Sequence, residues 1–457
     1  MTVFEKLSAI WKEDNLLRRV VQNSSYLFGS NAFSSGLSFL QGIVIIRLIG
    51  LANLGMVVII QTFASNINRL LSFRMSEVVV KHLGPALAED KKAEAAGLVK
   101  AAGLTEAAVS LLACLILVLL SPWASRVIAH DASTAPWFIF YGLILLINLV
   151  YETSTGILQA THKFNNLARF TLIQAVITFS VIGAIYILYR WVAMQSLAPF
   201  LVPAVLLAYV IGKAYYNISL VRLAMREINT TLGTGWWRTS LEKLPGKRSL
   251  ALFALNTNLH GTVNLIFRDN IPLYLGMLLS TIQVGYFSIA FTLISTITLA
   301  LDPFIAPTYS EISRTIAKLQ WDTTLRLLRR VTILSSGIVL AIAGFWALTG
   351  WWLIPFVYKS QARPAYPLLL ILLLGYGFAG IFQWDRSLML SLGKAGYPVL
   401  VLILTGVIEL ALIFAMVPLY GYLMMGAILS GYLIISNGFI SLRGVWEVHR
   451  RQLAATE

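Results

Sequence analysis

The chain has 457 residues, 58% of them hydrophobic and 12% charged, with a mean hydropathy of +0.77. A soluble domain carries about 25% charged residues; half that share cannot coat a globule in water, so lipid is the expected solvent for most of the surface and no soluble domain is expected. The net charge of +15 would suit nucleic acid, but the basic residues follow the connections between apolar runs, which excludes that partner and marks a membrane protein.

The first residues, FEKLSAIWKEDNLLRRV (4–20), form a short amphipathic stretch that reads as an interfacial helix rather than a cleaved signal peptide. Twelve apolar stretches long enough to cross a hydrocarbon core follow, at 23–48, 53–78, 99–121, 136–160, 167–189, 197–219, 250–277, 283–307, 327–350, 366–388, 397–418 and 422–442. Basic residues of the tails and alternate loops number 25 on one side against 5 on the other, and this split puts both termini in the cytoplasm. The longest break, 222–249, contains Gly233, Gly235, Pro245 and Gly246. It reads as a basic cytoplasmic linker between an N-terminal bundle, 1–221, and a C-terminal bundle, 250–457. The outer loops are short. Cys114 lies in LLACLILVLL and reads as packing. No HExxH or CxxC spacing occurs, so neither a metal site nor a bound cofactor is expected.

The chain repeats itself. At an offset of 230 positions, NLGMVVIIQTFASNINRLL (53–71) meets QVGYFSIAFTLISTITLAL (283–301), matching Gly55 with Gly285, Thr62 with Thr292, Ser65 with Ser295, Ile67 with Ile297 and Leu71 with Leu301. Two equivalent halves point to a transporter with its substrate near the repeat interface. An even number of spans per half puts the pseudo-twofold axis along the membrane normal. The expected fold is therefore an all-α polytopic membrane protein, with twelve transmembrane helices in two six-helix bundles.

Polar residues in such spans tend to face protein or water. Span 7 carries Asn256, His260, Asn264 and Arg268 at four-residue spacing, which makes one stripe. The equivalent positions of span 1 are Tyr26, Ser30, Ser34 and Ser38. The plain alternative is that serines and asparagines only let helices approach and hydrogen-bond; Arg69 and Arg268 fit that less well, because a guanidinium needs water, a partner or an anion. The ionisable residues read at membrane depth are Arg69, Arg74, Glu77, Glu152, Arg268, Asp269, Asp302, Asp385, Arg386 and Glu409. Internal pairing is the structural reading. The functional one assigns Glu152, Asp269, Asp302, Asp385 and Glu409 as candidates for coupling to H⁺ or Na⁺, with the choice of ion, and whether either is used, left open. Pro272, Pro303 and Pro307 remove backbone donors, and Pro272 and Pro303 are expected kinks and candidate hinges.

The run LIGLANLGMVVIIQTFASNINRLLSFRMSEVVVKHLG and the run VGYFSIAFTLISTITLALDPFIAPTYSEIS resemble the second-span and eighth-span regions of bacterial polysaccharide transporters, in the multidrug/oligosaccharidyl-lipid/polysaccharide flippase superfamily. The resemblance extends over essentially the whole chain, although its motifs are loose. It implies a V-shaped pair of bundles with spans 1 and 7 beside a central cavity. It also implies flipping of an undecaprenyl-diphosphate-linked oligosaccharide across a bacterial cytoplasmic membrane, as O-antigen flippases do; membrane lipids and other polysaccharide-assembly proteins are the expected partners, and a monomer the expected working unit. Arg268, Arg69 and Arg47 are then the expected anion-binding groups, since a guanidinium fork matches phosphate, and the span 1 and span 7 stripes would meet the glycan. Two other readings stand beside this one. A multidrug exporter of the same fold, driven by Na⁺ or H⁺, is not excluded by charge. A membrane polymerase or ligase would need a substantial outer loop, and the long polar loop here is the cytoplasmic one.

Overall fold

The computed structural model describes residues 15–71, 75–191, 199–240 and 262–454, with side chains from Gly29 onward. Among them every regular element is a helix. In lipid a backbone has no water to bond to, and the α-helix satisfies its own polar groups segment by segment.

The helices are α1 (Asn15–Leu71), α2 (Met75–Ala88), α3 (Lys92–Val127), α4 (Ala135–Gly142), α5 (Ile144–Ile147), α6 (Tyr151–Ala160), α7 (Phe164–Trp191), α8 (Leu201–Leu232), α9 (Ile271–Leu278), α10 (Thr281–Ala317), α11 (Trp321–Tyr358), α12 (Ala365–Ile381), α13 (Asp385–Ser391), α14 (Gly396–Tyr420) and α15 (Tyr422–Ala454). A π-helical turn, Leu265–Asp269, precedes α9. Ten helical segments among the described residues are long and apolar enough to cross a membrane. One of them, Gly29–Leu71, is the apolar part of α1 and holds both of the first two expected spans, because its backbone leaves helical geometry at Gly50 (φ 78°, ψ 176°). The beginning of span 7, with Asn256 and His260, lies outside the described residues, as do residues 4–14 of the amphipathic N-terminal stretch and Arg74.

Several elements depart from the sequence reading. Expected span 2 is helical on both sides of residues 72–74, which lie outside the described residues: α1 is described to Leu71 and α2 from Met75. Spans 4 and 10 are each broken. Residues 148–150 separate α5 from α6, and residues 382–384 separate α12 from α13. The expected linker is helical at its start, since α8 runs to Leu232; residues 241–249 lie outside the described residues. Pro272 sits in the first turn of α9, where its missing N–H has no intrahelical acceptor to lose, directly after the π turn and Asn270 interrupt the α-helical path. Pro303 lies inside α10, which continues past it to Ala317.

The described residues form two compact units whose membership is not continuous in sequence. The first comprises the described residues of 15–44, 67–120 and 137–240, and the second those of 45–66, 121–136 and 262–454. The first unit has a core of Val79 and Leu83 (α2), Leu98 and Val99 (α3), Ile157 and Leu158 (α6) and Leu220 and Ile228 (α8). The second has a core of Ile312 and Ile316 (α10), Leu328 (α11), Leu388 and Met389 (α13), Val401 (α14) and Val448 (α15). In each unit the half-helix that follows a break, α6 or α13, contributes to the core beside the helix that ends or extends the repeated segment, α2 or α10.

Candidate functional site

The second unit holds a partly open cavity of about 610 Å³, walled by the π turn, α10, α12, α13, α14 and α15. Close helix packing builds its far wall. At Gly375 a Cβ would stand 2.5 Å from the Ser430 Cα, and Ser430 Oγ donates to the Ile371 carbonyl at 2.8 Å. This small-residue contact draws α12 against α15, and the neighbouring Tyr376 and Tyr432 line the cavity. The break at 382–384 is held to α11 by two bonds. Gln383 Nε2 donates to Ser335 Oγ at 2.9 Å, and Trp384 Nε1 donates to Thr332 Oγ1 at 2.8 Å. The second half-helix therefore begins at the cavity with Asp385, whose carboxylate accepts the Arg386 N–H.

Arg268 enters from the π turn. Phe267, beside it, seats its ring on Gly406 of α14, where a Cβ would be 2.3 Å from the ring. Tyr274 OH donates back to the Ile266 carbonyl at 2.9 Å. The Arg268 guanidinium carbon lies 5.5 Å from the Tyr376 ring centroid, a cation–π distance. Asp269, Tyr376 and Tyr432 are its electrostatic neighbours. Single π turns recur at functional positions in α-helices because they re-aim side chains.

The cavity wall is rich in polar atoms that no described residue satisfies. Arg268 Nε, Tyr376 OH, Gln383 Oε1, Asp385 Oδ2 and Tyr432 OH are all buried without a hydrogen-bond partner among the described residues. A buried polar atom left without a partner costs about 1–3 kcal/mol, and all five belong to residues that line the cavity. Arg268 and Arg386 supply positive charge, Asp302 and Asp385 negative charge, and Asn264 and Asn437 amides. Such a wall can hold an anion on guanidinium and a polyhydroxylated ligand on phenols and amides. Glu409 of α14 sits behind it, 2% exposed, with neither carboxylate oxygen bonded. It acts electrostatically on Tyr274, Tyr376 and Tyr432.

The expected site residues are only partly brought together. Asn264, Arg268, Asp302 and Asp385 line the cavity of the second unit. Arg47 does not join them: it is exposed, donates to the Val357 carbonyl at 3.4 Å, and receives on its own carbonyl the Lys359 ammonium at 3.3 Å. Arg69 is exposed and belongs to the first unit, as do Ser30, Ser34 and Ser38. Ser30 is buried, Ser34 Oγ is buried without a hydrogen-bond partner among the described residues, and Ser38 is exposed.

Glu152 is held in the first unit at the start of α6. Ser76 Oγ donates to its carboxylate. The residue that organises this region is one the sequence reading passed over, Glu106 of α3. Its Oε1 accepts the Glu152 N–H at 2.6 Å and its Oε2 the Thr153 N–H at 2.8 Å, so a carboxylate from a neighbouring helix caps α6 inside the membrane. Asn217 of α8 donates to Asn148 Oδ1 at 2.7 Å in the same break. A small cavity of about 10 Å³ lies between Asn68, Glu106, Asn148 and Glu152, about the room for one water. Glu106 was legible as a lone charge within an apolar run.

The profile of the polysaccharide biosynthesis protein family matches residues 44–367, well over half the chain. The inner membrane protein YghQ of Escherichia coli (strain K12) is 25% identical over 158 residues, which cover 35% of this chain. The chain spans 44% of the length of that curated relative. Among solved structures, an inward-facing multidrug resistance MATE-family transporter of the MOP superfamily superposes with a TM-score of 0.71 at 12% identity, over 92% of this chain and 95% of its own. The lipid II flippase MurJ superposes with a TM-score of 0.69 at 13% identity, over 94% of this chain and 92% of its own. The fold of this multi-pass membrane chain is thus that of the MOP transporters.

Proposed function

We propose that this chain, which belongs to the polysaccharide biosynthesis protein family, is a flippase that moves a lipid-linked oligosaccharide across a bacterial cytoplasmic membrane, with both termini cytoplasmic and no chemistry performed on the cargo. The observation that carries the reading is Arg268. Arg268, whose Nε is buried without a hydrogen-bond partner among the described residues, lines a cavity of about 610 Å³ together with two phenols, amides and carboxylates. Arg268 takes the diphosphate, where a planar fork pairs with phosphate oxygens. Asn264, Gln383, Tyr376, Tyr432 and Asn437 take sugar hydroxyls, while the isoprenoid tail stays in lipid. The substrate is an undecaprenyl-diphosphate glycan destined for O-antigen, capsule or exopolysaccharide, and the working unit is a monomer that receives its cargo from other polysaccharide-assembly proteins. An H⁺ or Na⁺ gradient drives the cycle through acids of the second unit, Asp385 and Glu409 foremost, because both are buried and retain unbonded oxygens.

One observation favours a second reading, export of cationic drugs: Asp302 and Asp385 line the same cavity. Both readings meet one experiment. Purified protein in proteoliposomes is offered undecaprenyl-diphosphate glycans and, separately, cationic dyes. Glycan flipping that is abolished in Arg268→Glu, with expression and insertion intact, is the expected result. Full flipping in that variant removes Arg268 from the headgroup role, and transport of dyes alone replaces the flippase with an exporter.

A further inference from the structure

At the basic end of α15, Glu447 is completely buried and gathers four cations. Lys394 Nζ lies at 2.8 Å, Arg450 Nη2 at 3.1 Å, Arg451 Nε at 3.4 Å and Arg443 Nη2 at 3.9 Å. One carboxylate facing four cations leaves positive charge in excess. Two of the four are absorbed by the fold. Lys394 makes the shortest contact with Glu447, and Arg451 also donates to the Leu392 carbonyl at 3.2 Å and lies over the Trp321 ring. The other two remain available. Arg443 and Arg450 keep side-chain exposures of 38% and 59% and flank the exposed indole of Trp446, with guanidinium carbons 4.2 and 5.3 Å from the ring centroid.

What covers this patch is decided by the helix beneath it. Positions 443, 446 and 450 share a helical face. That side of α15 continues away from the basic end as Leu442, Phe439 and Ile435, all exposed large apolar side chains. On a membrane-spanning helix such a stripe is covered by acyl chains. A tryptophan and guanidiniums at its end stand where an indole meets the headgroup layer and where basic residues attract anionic lipid. We propose that Arg443, Trp446 and Arg450 form a binding site for the phosphate of an anionic glycerophospholipid whose acyl chains run along Ile435, Phe439 and Leu442. Buried Glu447 is the positioning residue. It orients the guanidiniums from below while Lys394 and Arg451 offset its charge.

The site is separate from the cavity of the second unit, and its test does not depend on transport. Full-length protein in detergent is titrated with phosphatidylglycerol or phosphatidylcholine, and bound lipid is counted by native mass spectrometry. Phosphatidylglycerol is expected to bind preferentially, with affinity lowered on the order of tenfold in the Arg443→Gln/Arg450→Gln variant. The charge-keeping Arg443→Lys/Arg450→Lys variant retains most of the binding, and Arg314→Gln, which alters an exposed Arg–Glu pair on another helix, leaves it unchanged. Equal binding of the two lipids, or undiminished phosphatidylglycerol binding in the glutamine variant, overturns the proposal. Soluble glycerol phosphate that competes as well as the intact lipid overturns the acyl-stripe part, because the site then recognises a free anion.

Discussion

Gly55 and Gly285, which the internal repeat matches at an offset of 230, meet in the structure and make reciprocal contacts. A Cβ on Gly55 would stand 1.8 Å from the Thr281 carbonyl oxygen and 3.1 Å from the Gly285 nitrogen, and one on Gly285 would stand 2.7 Å from the Leu51 carbonyl oxygen. Leu51 and Thr281 are themselves separated by the same offset. Each helix therefore presents to the other the surface that its counterpart presents in return, as in an isologous contact, and only a hydrogen on each α-carbon lets the backbones approach this closely.

Gly55→Ala and Gly285→Ala should each destabilise the protein by about 1–3 kcal/mol, since the obstacle is backbone and cannot rotate away. Gly84→Ala, on α2 with open space around its α-carbon, should instead be neutral or gain about 0.5–1 kcal/mol from helix propensity. Thermal unfolding in detergent of the three variants checks the order.

Removing Glu106 strips two N–H groups at the start of α6 of their acceptor. Glu106→Ala should cost about 1–3 kcal/mol, and Glu106→Gln less, because one carbonyl oxygen remains to accept. Hydrogen exchange at Glu152 and Thr153 should rise in Glu106→Ala while exchange in α14 and α15 stays unchanged; equal protection in wild type and variant would show that the cap contributes nothing.

Two buried glutamates should respond in opposite ways to the same change. Glu447 is surrounded by cations, so Glu447→Gln loses charge-assisted bonds worth about 1.5–3 kcal/mol and lowers the melting temperature. Glu409 has no donor on either oxygen among the described residues, so Glu409→Gln removes no bond seen there and should leave the melting temperature close to wild type. A large loss in Glu409→Gln would mean that its carboxylate is paired in the working protein.

Gradient coupling is read from amide variants of Glu152, Asp269, Asp302, Asp385 and Glu409 in proteoliposomes carrying an imposed H⁺ or Na⁺ gradient. Asp385→Asn and Glu409→Gln should lose the response to the gradient while retaining flipping down a substrate gradient. Five variants that respond like wild type would remove acid-based coupling.

Much of the architecture was legible along the chain because lipid imposes a simple rule: a stretch of about 20 apolar residues must become a helix. The apolar runs, the repeat, the matched glycines and the four-residue spacing of Asn264 and Arg268 all follow from composition and period. The breaks at 148–150 and 382–384 do not, because a helix can end inside a membrane only where other elements satisfy its freed groups. Glu106 does this for one break, where Asn217 also holds the Asn148 side chain, and Ser335 and Thr332 pin the other. Each of those partners is far away in sequence.

The fate of the charges was also beyond the sequence. Arg47, Arg69 and Arg268 are alike on the page, yet only Arg268 faces the cavity of the second unit, because the π turn and the Phe267–Gly406 contact aim it there. The sequence by itself determined that this is a helical membrane protein written in two related halves, since hydrophobicity and its period act locally. Only the tertiary structure decided which polar groups stand unpartnered around one cavity and which are spent on holding helices together, because a side chain's partner is set by packing between segments distant along the chain.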